Sequence, residues 1–127
     1  MELIVRDMRA QGVRVSLFVD AEEAPIRWAA DMKADRVELY TEPFARAYEQ
    51  GSQAAEQSYE TYARAANLAN SLGMGINAGH DLDLDNLQMF RRLPHLAEVS
   101  IGHALVSHAL FVWLDRSVRE YLDVLAG

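Results

Sequence analysis

The chain has 127 residues, of which 50% are apolar and 24% charged, and its formal net charge is -7. This profile is typical of one globular domain, here spanning residues 1–127. Because no basic stripe interleaved with aromatic residues is present, we expect neither nucleic acid nor a membrane as a partner. The absence of cysteine excludes disulfides and thiolate chemistry, and no apolar run is long enough for a membrane span or a signal peptide. We therefore expect a cytoplasmic protein.

Strand-like and helix-like segments alternate along the chain after a short helical lead-in. Near-continuous apolar runs, typical of strands buried on both faces, occupy residues 13–20, 36–41, 74–80 and 98–103. Apolar residues at helical spacing follow each run and predict helices over residues 21–33, 54–71, 87–93 and 104–126. This alternation predicts four parallel βα units, which build either an open doubly wound sheet or half of a (β/α)8 barrel.

Local signals fix where several of these helices start and stop. Asp20 and Glu23 are spaced as a capping pair for the first crossover helix. Gly73 is placed to end the long helix, and the carboxyl-terminal helical region has a predicted break near Asp115. Residues 41–53 form a polar-aromatic connection longer than most βα loops, which makes it a candidate lid.

Polar residues end all four predicted strands, and parallel strands present their carboxyl ends on one face. In chain order these strand ends carry Asp20, then Glu38 with Tyr40 and Thr41, then Asn77 with His80, then Gly102 with His103. We interpret Asp20 as a helix N-cap. Glu38 is a functional candidate, since it interrupts the apolar pair Val37 and Leu39, and a carboxylate there needs a partner or a task.

The stretch from residue 101 to residue 111 has the form of a phosphate cradle. A strand ends at Gly102, and a helical pattern begins directly after it. Glycine allows a ligand to approach the backbone, and a helix N-terminus supplies unpaired N–H groups. Barrels of eight βα units often bind phosphate at such a position.

A metal site is the alternative for the same strand ends. Glu38, His80 and His103 could ligate a divalent ion, although nothing in their spacing demands it. Residues 81–86 imitate the start of a calcium loop, but the sequence departs from the EF-hand pattern at its glycine and its final glutamate. We therefore expect no metal, and we interpret His95 and His108 as structural.

Four segments taken together resemble the second half of the pyridoxine 5'-phosphate synthase family. They read VRVSLFVDAEE, RVELYTEPFA, GMGINAGHDLDLDN and EVSIGHALV, and they span essentially the whole chain in order. The most specific part is NAGH, followed about twenty residues later by SIGHA. The resemblance implies a (β/α)8 TIM barrel whose strands five to eight are the four strands predicted here.

The resemblance also implies a reaction and roles for particular residues. The family condenses 1-deoxy-D-xylulose 5-phosphate with 3-amino-2-oxopropyl phosphate to pyridoxine 5'-phosphate, a transferase-type step of vitamin B6 biosynthesis that needs no cofactor. At the matching positions, His80 resembles the proton donor and Glu38 the carboxylate that stabilises charged intermediates. Gly102 and His103 look like the phosphate cradle. Asp81 stands where a substrate-contacting residue, often glycine, follows the catalytic histidine.

The family's remaining catalytic base residues belong to the first half of the barrel. We therefore expect this chain to be a carboxyl-terminal half-barrel that lacks full activity alone. Since an open half-barrel exposes two strand edges and an inner face, it should pair with the missing amino-terminal half or with a second copy of itself. The resemblance implies a homo-oligomer. The alternative function is a non-catalytic half-barrel that binds a phosphorylated ligand or serves in assembly.

Overall fold

A computed structural model describes residues 1–127, which form seven helices and four strands. The helices are α1 (Glu2–Ala10), α2 (Glu23–Asp31), α3 (Glu42–Glu49), α4 (Ser52–Ser71), α5 (Leu87–Phe90), α6 (His103–Val112) and α7 (Leu114–Ala126). The strands are β1 (Ser16–Val19), β2 (Arg36–Tyr40), β3 (Gly75–Gly79) and β4 (Leu96–Ser100). The strands β1, β2 and β3 lie within their predicted runs, whereas β4 begins two residues before its run and ends at Ser100, so that His103 belongs to α6. The predicted alternation with helices is confirmed.

The four strands form one parallel sheet in the order β1-β2-β3-β4. Each strand is hydrogen-bonded to the strand that follows it in the chain, so every crossover connects neighbours. A doubly wound sheet reverses its strand order at a switch point, and this sheet has no such reversal. The outer edges of β1 and β4 have no partner strand.

The two faces of the sheet differ in chemistry. Val37, Leu39, Ile76 and Ala78 are fully buried under the helices, as strand alternation requires. They belong to a cluster of 19 buried apolar residues that extends from β1 to α7. The opposite face is only partly covered. Its residues are polar, aromatic or glycine, and they are Ser16, Phe18, Arg36, Glu38, Tyr40, Asn77, Gly79, Glu98 and Ser100. We call this the inner face.

Aromatic rings fix the helix layer against the carboxyl ends of the strands. The rings of Phe44, Tyr62 and Phe90 contact one another with centroids 4.8 to 6.1 Å apart. The Tyr62 hydroxyl donates a hydrogen bond of 2.5 Å to the carbonyl of Tyr40, the last residue of β2. Burial raises the pKa of Tyr62 far above its usual value, so this hydroxyl keeps its proton at every ordinary pH.

The structure corrects two of the predicted boundaries and confirms a third. Asp20 is exposed and is not an N-cap, since the N-cap of α2 is Glu22 and no side chain caps the helix. Residues 42–49 are helical rather than a loop because Phe44 is completely buried and ties α3 to the core. Gly73 follows α4 with a φ of +82°, as its predicted role requires.

The predicted break near Asp115 lies at Trp113, which separates α6 from α7 with a φ of +73°. None of the seven helices combines the length and the apolar character needed to cross a membrane.

Candidate functional site

A cleft of about 950 Å³ opens at the carboxyl ends of the strands. Its walls come from the ends of β1, β2 and β4, from α3, and from the segment between β3 and α5. All five predicted site residues line it: Glu38, His80, Asp81, Gly102 and His103. The structure therefore brings these five together in one cleft, while their chemical roles remain predictions.

Glu38 lies on the inner face of β2, and its sequence neighbours Val37 and Leu39 are buried on the opposite face. Its Oε1 atom lies so close to Gly79 that a Cβ atom at that position would be only 2.6 Å away. The same Cβ would lie 3.0 Å from the Cβ and 3.1 Å from the carbonyl oxygen of Ser100. Gly79 thus leaves the space on β3 that the Glu38 carboxylate occupies.

His80 and Asp81 make the turn that carries His80 over the end of the sheet. Their φ angles are +93° and +58°, the left-handed region that side chains seldom adopt. Asp81 Oδ2 lies 3.2 Å from His80 Nδ1, and both side chains are about half exposed. The Tyr40 ring meets the imidazole edge-on, with centroids 5.0 Å apart. Two neighbours therefore orient the imidazole.

Tyr40 remains a neutral phenol beside His80. Burial first, then the negative charges of Glu42 and Asp81, raises the pKa of Tyr40 above its usual value. Its ring also contacts Phe18 on β1, with centroids 5.5 Å apart. The row of rings across the inner face supports the imidazole from the β2 side.

Two buried polar residues hold the His80 turn, and the sequence analysis did not assign either role. Thr41 is fully buried, and its Oγ1 donates a hydrogen bond of 2.5 Å to the His80 carbonyl. Asn86 is 3% exposed, and its Nδ2 donates to the Asp81 carbonyl at 3.0 Å. These bonds satisfy backbone groups in a strained turn, which explains its shape. The sequence signal that could have indicated the role of Thr41 was its position as a polar residue directly after a strand.

The predicted phosphate cradle has the expected backbone. α6 begins at His103 with Gly102 as its N-cap, and no side chain caps the first turn. Nothing lies within 4 Å of the position a Cβ of Gly102 would occupy, so the space before the helix is open. A ten-residue helix presents unpaired N–H groups and the positive end of its dipole at this point. An anionic group fits there.

α7 holds the cradle helix in place. Ser117 is fully buried and donates a hydrogen bond of 3.0 Å to the carbonyl of Leu105 in the first turns of α6. His108 Nε2 lies 2.5 Å from Glu120 Oε2, and Arg116 contacts the other oxygen of Glu120 at 2.8 Å. Hydrogen bonds from His108 and then Arg116 lower the pKa of Glu120. His108 therefore links α6 to α7.

Charged side chains cross the inner face below the cleft. Asn77, placed by the sequence analysis among the strand-end candidates, is 8% exposed and accepts a hydrogen bond of 2.8 Å from Arg36. Arg36 also contacts Glu98 at 3.2 Å, and Arg14 reaches the same carboxylate oxygen at 3.1 Å. Asn77 therefore belongs to this network rather than to the cleft walls.

Metal ligation gains no geometric support. Glu38, His80 and His103 line one cleft, but the protein contains no group of three histidine, aspartate or glutamate side chains that could hold an ion.

Comparison with known proteins identifies the sequence family. The family described as "Pyridoxal phosphate biosynthesis protein PdxJ" matches residues 1–127. The chain is 52% identical over 124 residues to a protein of Porphyromonas gingivalis named pyridoxine 5'-phosphate synthase, covering 97% of this chain and 51% of that protein. Proteins of the same name in Flavobacterium johnsoniae and Xanthomonas axonopodis are 48% and 49% identical over 123 residues, covering 96% of this chain and 51% and 48% of their own lengths. The chain spans about half the length of these curated relatives.

Proposed function

The chain belongs to the PdxJ family of pyridoxal phosphate biosynthesis proteins, and we propose that it supplies the carboxyl-terminal half of a pyridoxine 5'-phosphate synthase. The proposed reaction joins 1-deoxy-D-xylulose 5-phosphate to 3-amino-2-oxopropyl phosphate and releases pyridoxine 5'-phosphate, inorganic phosphate and water. The observation that carries the proposal is the convergence of Glu38, His80 and the Gly102–His103 backbone on one cleft.

The strand order supports a half-barrel. A sequential order without reversal is what strands five to eight of a (β/α)8 barrel require. Arg14, just before β1, reaches Glu98 on β4 at 3.1 Å across the inner face.

The unpaired edges of β1 and β4 determine what kind of partner completes the fold. Closing the barrel requires a second set of four parallel strands that hydrogen-bonds to both edges at once. An amino-terminal half-barrel of the same family provides this, and a second copy of the chain is the alternative. The complete protein then assembles as a homo-oligomer.

A substrate phosphate binds at the amino-terminal end of α6. Backbone N–H groups after Gly102 donate to the phosphate oxygens, and the helix dipole favours the negative charge. Backbone groups hold the phosphate at this end of the cleft. The carbon skeleton of the substrate then extends from the phosphate toward Glu38 and His80. His103, the first residue of α6, lies at the same end of the helix.

His80 transfers protons during imine formation, loss of water and ring closure. Imidazole exchanges protons near neutral pH and can serve in both directions. Asp81 Oδ2 lies 3.2 Å from His80 Nδ1, and Nε2 is therefore the nitrogen that meets substrate in this proposal. Glu38 lies within the same cleft and stabilises positive charge that develops on the imine nitrogen.

Growth without added pyridoxine tests the proposal. Residues 1–127 replace the matching carboxyl-terminal half of the Porphyromonas gingivalis relative, and the chimera is expressed in a bacterium whose own pyridoxine 5'-phosphate synthase gene is deleted. We expect the chimera to restore growth, H80N to abolish it, and the matched variant H95N, outside the cleft, to leave it intact. A folded chimera that does not restore growth would reduce the function to ligand binding or assembly, and equal growth with H80N would remove His80 from the mechanism.

A further inference from the structure

One aromatic side chain is left uncovered in the cleft. Phe18 lies on the inner face of β1, lines the cleft and is 56% exposed. The other apolar or aromatic residues that line the cleft are buried or half-buried, and they are Ala45, Tyr48, Leu82, Ile101 and Ala104. An aromatic ring that remains open in a cleft with several polar groups is suited to contact a flat, weakly polar part of a ligand.

Phe18 is the cross-strand neighbour of Glu38. The two residues are partners in the parallel pairing of β1 with β2, so their side chains leave the same face of strands that run about 4.8 Å apart. A ring that lies against Phe18 is therefore beside the Glu38 carboxylate. Because an aromatic face also attracts a cation, Phe18 and Glu38 both favour a flat group that carries positive charge.

Tyr40 sets the position of the Phe18 ring relative to His80. The Tyr40 ring contacts the Phe18 ring with centroids 5.5 Å apart and the His80 imidazole with centroids 5.0 Å apart, edge-on in both cases. Tyr40 is not among the residues that line the cleft, so it acts through its two neighbours. A ligand ring on Phe18 consequently lies near both groups to which the proposed function assigns chemistry.

We propose that Phe18 binds the ring that forms in the reaction, by stacking its phenyl group against the pyridine ring of the phosphorylated product. Phe18 lies on β1 and the Gly102 cradle follows β4, so a ligand held by its phosphate at the cradle reaches across the cleft toward Phe18. The inference deepens the proposed function and rests on it for the identity of the ring. Acyclic substrates offer no aromatic face, so Phe18 favours the closed ring over its precursors.

Calorimetric titration of the 127-residue chain with pyridoxine 5'-phosphate, and separately with inorganic phosphate, tests the inference. F18L keeps an apolar side chain but removes the ring, and it should weaken binding of pyridoxine 5'-phosphate by about tenfold. The same variant should change binding of inorganic phosphate by less than about twofold. F18Y keeps the ring and should restore most of the affinity. F111L is the matched control, because Phe111 is 86% exposed on α6 and lies outside the cleft; it should bind both ligands as the unaltered chain does.

Steady-state kinetics of the chimera with the Porphyromonas gingivalis relative provide a second measurement. F18L should raise the inhibition constant of added pyridoxine 5'-phosphate by about the same factor of ten. The KM values of the two acyclic substrates should change by less than about twofold. A residue that only supports the fold would alter all three constants together, so this split separates ring binding from packing.

The possible results distinguish the inference from the proposed function. Unchanged affinity in F18L, equal weakening of both ligands, or a loss that F18Y does not restore would overturn the ring site. Pyridoxine 5'-phosphate that binds no more tightly than inorganic phosphate, in the chain and in the chimera, would also overturn it while leaving the cradle intact. A chimera that forms no product, yet binds pyridoxine 5'-phosphate in a way that depends on Phe18, would support the ring site and remove the proposed reaction.

Discussion

Replacing Gly79 by alanine tests how closely Glu38 packs against β3. The new Cβ would lie 2.6 Å from Glu38 Oε1, about 0.8 Å inside the 3.4 Å at which ordinary contact begins. The Glu38 side chain can turn away, but the carbonyl of Ser100, 3.1 Å from the Cβ, belongs to the β4 backbone and must shift. Overpacking of this kind costs roughly 1–3 kcal/mol, and we expect G79A to lower the free energy of unfolding by about 1–2 kcal/mol, since part of the strain falls on a flexible side chain.

Gly75 provides the matched control. It lies on the same strand and the same face, but the three atoms nearest to a Cβ there all belong to the flexible Arg36 side chain, at 3.0 to 3.4 Å. We expect G75A to change stability by less than about 0.5 kcal/mol. Urea denaturation of both variants gives the comparison. Combining G79A with E38A should reduce the cost of G79A, because the shortest contact is then gone. A G79A protein as stable as G75A would refute the close approach.

Substitutions at three further positions test the turn and the cradle helix. T41V should cost about 1–2 kcal/mol and speed amide exchange around His80, because the His80 carbonyl loses the donor that the fully buried Thr41 supplies; unchanged exchange would contradict this role. At Asp81, whose φ is +58°, glycine should be more stable than alanine by about 1 kcal/mol in urea denaturation, and the reverse order would contradict the left-handed turn. The folded protein holds the pKa of Glu120 below its usual value of 4.5. The stabilisation of the fold by ionised Glu120 is therefore complete above pH 4.5 and is lost as pH falls through the lowered pKa. E120Q should therefore lower the melting temperature at pH 7 and have progressively less effect below pH 4.5, and an effect that persists undiminished in acid would exclude the pair with His108.

Much of the fold was predictable from the sequence because the strands are continuous apolar runs. Their alternation with helical patterns predicts four parallel βα units, and the structure has them. The strand order was not predictable from local pattern, since doubly wound and barrel arrangements share the same alternation. The helical state of residues 42–49 was missed because the burial of Phe44, which anchors α3, depends on tertiary contacts.

The candidate site was predictable as a set of residues but not as a geometry. Polar strand ends converge at one edge of any parallel sheet, so Glu38, His80 and Gly102 could be expected to meet. Gly79 makes room for the Glu38 carboxylate, while His80 and Asp81 make the turn. That contact depends on the register of β2 against β3, which sequence pattern alone does not give.

Formation of product by the purified chimera tests the central claim most directly. The chimera joins residues 1–127 to the other half of the Porphyromonas gingivalis relative, and it is incubated with 1-deoxy-D-xylulose 5-phosphate and 3-amino-2-oxopropyl phosphate. Mass spectrometry should detect pyridoxine 5'-phosphate, with one inorganic phosphate released for each product molecule and none of either from H80N. A chimera that does not fold, or one that folds and binds phosphate without forming product, would contradict the claim that this chain is half of the synthase.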